Sequence, residues 1–299
     1  MTLDELQAIT QAAGGGPNAL AYADPLLTKI NHLEGTARYQ PLLVQLRSAR
    51  EAGDFRGRVL EINFAEAFVR EGIDLTYGAR QGMSGDIDLL WPVPPRDVFM
   101  EIKLLGQDRA TRDRVNQQLE DHGVSAVGLR DDTRDVARLQ LDILQKASTR
   151  KFDPKPQPGW INLVAIDVAE LQLGTVDMTD CLLATGGNPL AAQYSDPSCL
   201  REDVIGIFEV LNGRTLTAGQ QRWITGVHQL PSGAPHPQTY LHGVIFLFRH
   251  PKERAALAYE LRSEIVWNPA LATDEAAGSI AGAMRQVFGS EVQSRDSAA

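Results

Sequence analysis

"GDIDLLWPVPPRDVFMEIKLL", residues 85–105, decides how the chain is read: two apolar stretches flank a proline-rich break, and acids and a lysine sit inside them. "DIDLLW" (86–91) and "DVFMEIKLL" (97–105) read as two strands joined by the turn "PVPPR". Side chains alternate along a strand. Val98, Met100, Ile102 and Leu104 therefore line one face of the second strand, and Phe99, Glu101, Lys103 and Leu105 the other. Both faces are mainly apolar, as in an interior strand, so Glu101 and Lys103 are expected side by side on a covered face. On the first strand Asp86, Asp88 and Leu90 share a face, and pairing through the turn brings one or both aspartates beside Glu101 and Lys103.

The flanking segments complete the pattern. "FRGRVLEINFAEAFVREG" (55–72) reads as a helix ended by Gly72, and "IDLTYG" as a strand after it. At roughly 100° per residue, Glu61 falls inside the apolar arc of Ile62, Phe64, Ala65, Phe68 and Val69, whereas Glu66 and Arg70 fall on or near the solvated side. After a polar stretch, "TRDVARLQLDILQKAS" (133–148) is a second strongly periodic helix. Gln140 joins Val136, Ile143 and Ala147 on its apolar face, and Lys146 lies toward the surface. "WINLVAIDV" (160–168) is apolar on both sides, as a central strand covered by helices would be. The order helix, three strands, helix, strand predicts an α/β fold with a mixed sheet flanked by helices.

Outside this core the signals are plainer. Residues 2–12 and 24–51 read as helical, separated by the breaker "GGGPNA" (14–19), which lacks the GK[ST] of a phosphate-binding loop and serves as a linker. Beyond Val168, stretches 203–211 and 240–248 are expected strands, 252–265 a helix, and the last residues a frayed end. The expected organisation is an N-terminal helical extension (1–55), a core (56–168), a C-terminal α/β elaboration (169–268), and a helix with a tail (269–299).

Composition sets limits. At 299 residues and 43% hydrophobic, the chain can bury a sizeable core. No apolar run approaches the roughly 18–20 residues of a membrane span, and "MTLDELQAITQ" has no basic segment followed by an apolar one, so a cytoplasmic protein without a membrane partner is expected. Cys181 and Cys199 form no CxxC pair, and the histidines, His32, His122, His228, His236, His242 and His250, fall in no motif. Neither GxSxG nor HExxH occurs. The net charge of −9 argues against a non-specific nucleic-acid coat. The acidity is uneven, however: from Ala169 to Leu211 seven acids face one arginine, while from Arg96 to Lys155 twelve bases face eleven acids, which leaves room for a local cationic groove.

One cleft is thus expected to hold Glu61, Asp88 or Asp86, Glu101 and Lys103. Buried carboxylates need a cation, a metal or hydrogen bonds, or else they take up protons. Three acids against one lysine leave an excess of negative charge that a hard divalent cation resolves, since Mg²⁺ takes oxygen ligands, usually one or two carboxylates, water and substrate phosphate. The lysine would then hold or deprotonate the attacking water, and phosphodiester hydrolysis is the reaction this set suits.

The order of these pieces resembles the PD-(D/E)xK superfamily of restriction-endonuclease-like nucleases over about residues 56–168. "GRVLEINFAEAFVREGIDL" is similar to the family's first helix and strand, "GDIDLL" to its Asp strand, "FMEIK" to its Glu-x-Lys strand and "WINLVAIDV" to its later parallel strand. The resemblance implies a restriction-endonuclease-like core and a Mg²⁺- (or Mn²⁺-) dependent nuclease, acting on DNA more than on RNA. It implies Asp88 and Glu101 as metal ligands, the Ile102 carbonyl completing the shell, Lys103 as the water-positioning base and Glu61 as an accessory acid. Some of these families also set a glutamine from the following helix near the metal, the place Gln140 would take, although an amide bonded to a neighbouring backbone fits Gln140 equally. The proline expected before the aspartate is absent, because Ile87 precedes Asp88 and Gly85 precedes Asp86, so the register of the two aspartates stays open. Asp88 is favoured as the ligand, with Asp86 as a turn cap or outer neighbour. Cutting both strands of a duplex would call for a homodimer, which no residue demonstrates. The competing readings are an inactive binding or scaffold protein on the same fold, and an enzyme for a small phosphorylated substrate.

Overall fold

The structure is a computed structural model. The structure describes the chain apart from residues 14–22, 82–84, 107–116, 118–120, 122–131, 169–175, 187–202, 210–213, 231–232, 250–256 and 289–299. The expected linker 14–19, most of the polar stretch after Gly106, and the frayed end lie outside the described residues.

Helices α1 (Leu3–Ala12), α2 (Ala23–Glu34), α3 (Gln40–Ser48) and α4 (Ala52–Arg70) precede strands β1 (Thr76–Ala79), β2 (Ile87–Val93) and β3 (Arg96–Leu104). Helix α5 (Asp132–Lys146) leads to β4 (Trp160–Asp167), followed by α6 (Met178–Gly186), α7 (Ala218–Val227), β5 (Gly243–Arg249), β6 (Leu261–Trp267) and α8 (Asp274–Phe288). Among the described residues, six strands lie in one sheet in sequence order. β1–β2, β2–β3 and β5–β6 pair antiparallel, and β3–β4–β5 pair parallel, so the sheet is mixed.

Strand alternation divides the core into two layers. Val98, Met100 and Ile102 pack with Leu89, Trp91, Leu163 and Ile245 beneath α1–α4 and α8. Phe99, Leu105, Val164, Ile166, Val244 and Phe246 pack on the other face, beneath α5 and α6. This is why β4 reads as an unbroken apolar run: seven of its eight residues are buried between helices on both sides. On the first face α4, α8 and β2 are joined by rings, with Phe64–Phe288 at 5.1 Å, Phe68–Phe288 at 5.6 Å and Phe68 edge-on to Trp91 at 5.2 Å.

Three expectations change. The stretch read as a helix over 252–265 enters strand β6 at Leu261, where it pairs with β5; residues 252–256 are outside the described set. Its alternating apolar positions, Leu261, Ile265 and Trp267, are used by an edge strand rather than by a helix face. The stretch 203–211 forms no strand in its described part, 203–209; the Ile207 and Phe208 amides instead donate to the carbonyls of Ala184 and Thr185 at the end of α6. Glu66 is not solvated. Helix α2 covers that side of α4 and supplies His32 Nδ1 at 3.2 Å and Lys29 Nζ at 3.6 Å. Among the described residues no helix is long and apolar enough to cross a membrane.

Candidate active site

The charged residues of the quoted stretch meet where β2 and β3 stop pairing. Their regular register runs from Val93↔Arg96 to Leu89↔Met100 and goes no further, although β3 continues its pairing with β4 as far as Leu104↔Asp167. At the opening, side chains take over the ladder's hydrogen bonds. The Asp88 amide donates to Glu101 Oε1 at 3.2 Å, and the Ile102 amide donates to Asp88 Oδ2 at 2.8 Å. β2 turns over here: Leu89 belongs to the core layer under α4, while Ile87, two residues earlier, belongs to the layer under α5.

Glu101 is 0% exposed, so its charge has to be met inside the protein. Lys146, the last residue of α5, places Nζ 3.0 Å from Glu101 Oε2 and 3.2 Å from Asp88 Oδ2. Lys151 adds a second ammonium 3.1 Å from Glu101 Oε1 and also donates to the backbone carbonyl of Asp86. Burial first, and the charge of Asp88 second, push the Glu101 carboxyl above the usual carboxylate range, against the pull of Lys146 and Lys151. Burial alone would lower the Lys146 ammonium, but Asp88 and Glu101 outweigh it and hold it above its ordinary value.

Glu61 approaches from the α4 layer. Arg58 Nη1, one turn earlier, contacts both its carboxylate oxygens at 2.7 and 2.9 Å, and the Tyr77 hydroxyl donates to Oε2 at 2.8 Å. Tyr77 is the β1 residue paired with Leu89, next to Asp88. Burial, and then Asp88, push the Glu61 carboxyl up to about 7 even so. Glu61 therefore senses Asp88 while its oxygens are committed to Arg58 and Tyr77.

The geometry brings Asp88 and Glu101 together, places Glu61 within electrostatic reach and moves two expected members away. Lys103 shares Glu101's face, but its Nζ lies 3.5 Å from Asp142 of α5 and makes no contact with Asp88 or Glu101. Gln140 is a structural hub: Nε2 donates to the Ala184 and Ile205 carbonyls, both at 2.7 Å, and Oε1 accepts from Trp223 Nε1 at 2.9 Å and lies 3.1 Å from His228 Nε2. Its bonds run to α6, α7, the segment between them and His228 just after α7, none to the carboxylates. Asp86 is exposed at the surface and paired with Arg80, so the two aspartates separate into an outer and an inner one. Lys151, Arg58 and Tyr77 were not singled out from sequence, and Lys146, expected toward the surface, instead reaches Asp88 and Glu101. Lys146 lies on the flank of its helix, and only its long stem, curling toward the sheet as lysines do, carries the charge inward.

This revises the expected charge balance. Glu61, Asp88 and Glu101 are met by Arg58, Lys146 and Lys151, so burial of the acids does not by itself demand a metal ion. Among the described residues no cluster of three or more His, Cys, Asp or Glu side chains is arranged to hold a metal. What remains is a two-carboxylate donor set, within what Mg²⁺ accepts when water and phosphate complete its shell. The set fits such an ion: oxygens from two strands already converge on one cationic point. Ile102, whose amide faces Asp88, directs its carbonyl to the same edge of β3 by ordinary strand geometry.

No protein-family model, no curated protein and no solved structure matches this chain.

Proposed function

We propose that the chain is a Mg²⁺- or Mn²⁺-dependent nuclease with a restriction-endonuclease-like core, hydrolysing phosphodiester bonds of DNA in preference to RNA. The observation that carries this reading is the meeting of Asp88 Oδ2 and Glu101 Oε2 on one cationic point, 3.2 and 3.0 Å away, at the place where β2 and β3 part. Asp88 and Glu101 would hold the ion, with the Ile102 carbonyl beside them. The ion, when bound, lowers the pKa of a coordinated water and neutralises charge on the phosphate. The role expected of Lys103 passes to Lys146, whose ammonium touches both carboxylates and, once an ion takes its place between them, would donate a hydrogen bond to the attacking water or the phosphate. Lys151, bound to Glu101 Oε1, keeps that carboxylate oriented. Glu61, fixed by Arg58 and Tyr77, acts on Asp88 through space rather than as a ligand.

A second reading is a binding protein that keeps this fold without the chemistry; the pairing of both carboxylates with lysines favours it. Nicking of supercoiled plasmid separates the two. The nuclease reading expects cleavage with Mg²⁺ or Mn²⁺ that EDTA stops, with losses of about a hundredfold or more in Asp88→Asn, Glu101→Gln and Lys146→Ala and only a few-fold loss in Lys103→Ala. Equal nicking by all variants, or none by the wild type alongside salt-sensitive DNA binding, would retire it in favour of the binding protein.

A further inference from the structure

We infer that the ammonium of Lys146 occupies the place of the divalent cation in the metal-free protein, and that a metal ion enters only by exchanging with it. The inference rests on the proposed metal-dependent reading and adds to it how the site is kept when empty and what happens to the lysine on loading.

The hydrogen-bond inventory leads there. Glu101 is fully buried, and its Oε1 is already committed to the Asp88 amide at 3.2 Å and to Lys151 at 3.1 Å. Its other oxygen, Oε2, is held by Lys146 at 3.0 Å. Asp88 Oδ2 is shared between the Ile102 amide at 2.8 Å and the same Lys146 ammonium at 3.2 Å. A cation that bridges the two carboxylates must therefore take Glu101 Oε2, which Lys146 now holds. Mg²⁺ sits about 2.0–2.1 Å from its oxygens, so an ammonium about 3 Å from the same pair leaves it no room, and the two positive charges repel at that separation.

Lys146 can leave at low cost to the fold. It is the last residue of α5, its side chain is 25% exposed, and its unbranched stem can swing by rotamer changes alone without moving the helix. Lys151 is held differently, because its ammonium also binds the Asp86 carbonyl, and it stays with Glu101. The exchange has a chemical consequence. The metal-free pocket is close to neutral, and loading it releases a positive group at the rim, where a phosphodiester would bind, so the anion-binding charge appears together with the ion.

The test is Mn²⁺ binding to the full chain, followed by the electron paramagnetic resonance signal of free Mn²⁺, for the wild type, Lys146→Met, Lys151→Met and Asp88→Asn. The exchange predicts that Lys146→Met binds Mn²⁺ about tenfold or more tightly than the wild type, that Lys151→Met gains less, and that Asp88→Asn loses binding. Lys146→Met should at the same time lose nuclease turnover, a split that a purely structural lysine would not produce. Equal or weaker Mn²⁺ affinity in Lys146→Met overturns the exchange and leaves the metal site standing; no binding by any of the four proteins overturns both. The wild type gives an independent readout through ¹⁵N-labelled lysine side chains. The Lys146 ammonium, assigned by its absence in Lys146→Gln, should lose its protection from hydrogen exchange on addition of Mg²⁺; protection unchanged at Mg²⁺ concentrations that displace bound Mn²⁺ also overturns the exchange.

Discussion

Glu61 carries the sharpest consequence at the scale of single residues. With its carboxyl raised from 4.5 to about 7, the folded protein holds a proton there that the unfolded chain has released. Stability from this group is therefore greatest at low pH and falls as pH rises from about 4.5 to about 7, by about 3 kcal/mol in all. His228 works in the opposite sense. Burial, with His236 beside it, lowers it to about 4, so the unfolded chain takes up a proton first and stability falls as pH drops from about 6.5 toward 4. Glu61→Gln should flatten the decline between about pH 4.5 and 7 and leave the acid-side loss in place. Urea unfolding across that range checks this, and an unchanged profile would mean that Glu61 is ionised in the fold throughout. Glu61 was legible in sequence as an acid on an apolar arc, but its partners were not: Arg58 reads as an ordinary helix arginine until Tyr77 is set beside it. The same holds for Lys146, since helical periodicity gives the direction of a Cβ and not where a four-carbon stem ends.

The elements around the site make their own predictions. Gly85 precedes β2 and lies against the loop after α5: its amide donates to the Arg150 carbonyl at 2.9 Å, and a Cβ at this position would come within 2.9 Å of that oxygen and 3.1 Å of the Lys151 stem. Gly85→Ala should push the loop, and Lys151 with it, away from Glu101, costing about 1–3 kcal/mol of stability and reducing turnover. Full activity at unchanged stability would show that Lys151 is not needed where it stands. Gln140 should behave in the reverse way. Truncation to Ala leaves the Ala184 and Ile205 carbonyls and Trp223 Nε1 without their partner, an expected loss of about 2–4 kcal/mol, with turnover per folded molecule retained. A catalytic loss without destabilisation would return Gln140 to the site. The helices α4 and α5 were legible from their apolar arcs, and β2, β3 and β4 from short apolar runs bounded by turn residues. Residues 261–265 were misread because alternation of period two is hard to tell from a helix stripe in a short segment beside a helix-favouring run such as "KERAALAYE".

For the whole molecule, the sequence foretold a mixed sheet between helical layers, with Asp88 and Glu101 carried by consecutive strands. It did not foretell that β5 and β6 extend the same sheet, because pairing between distant segments leaves no local mark. Nor could it give the charge balance of the pocket, which depends on where α5 ends and how the following loop returns past β2. The net charge of −9 makes the location of positive charge decisive: binding to a polyanion has to rest on a local basic surface and should weaken steeply with salt. The proposed divalent-cation site of Asp88 and Glu101, where β2 leaves β3, is open to a crystal soaked in Mn²⁺ and measured at the manganese absorption edge. An anomalous peak bonded to Asp88 and Glu101, with the Lys146 ammonium displaced from between them, is the expected result; at saturating Mn²⁺, no peak there and Lys146 still bridging the two carboxylates would rule the site out.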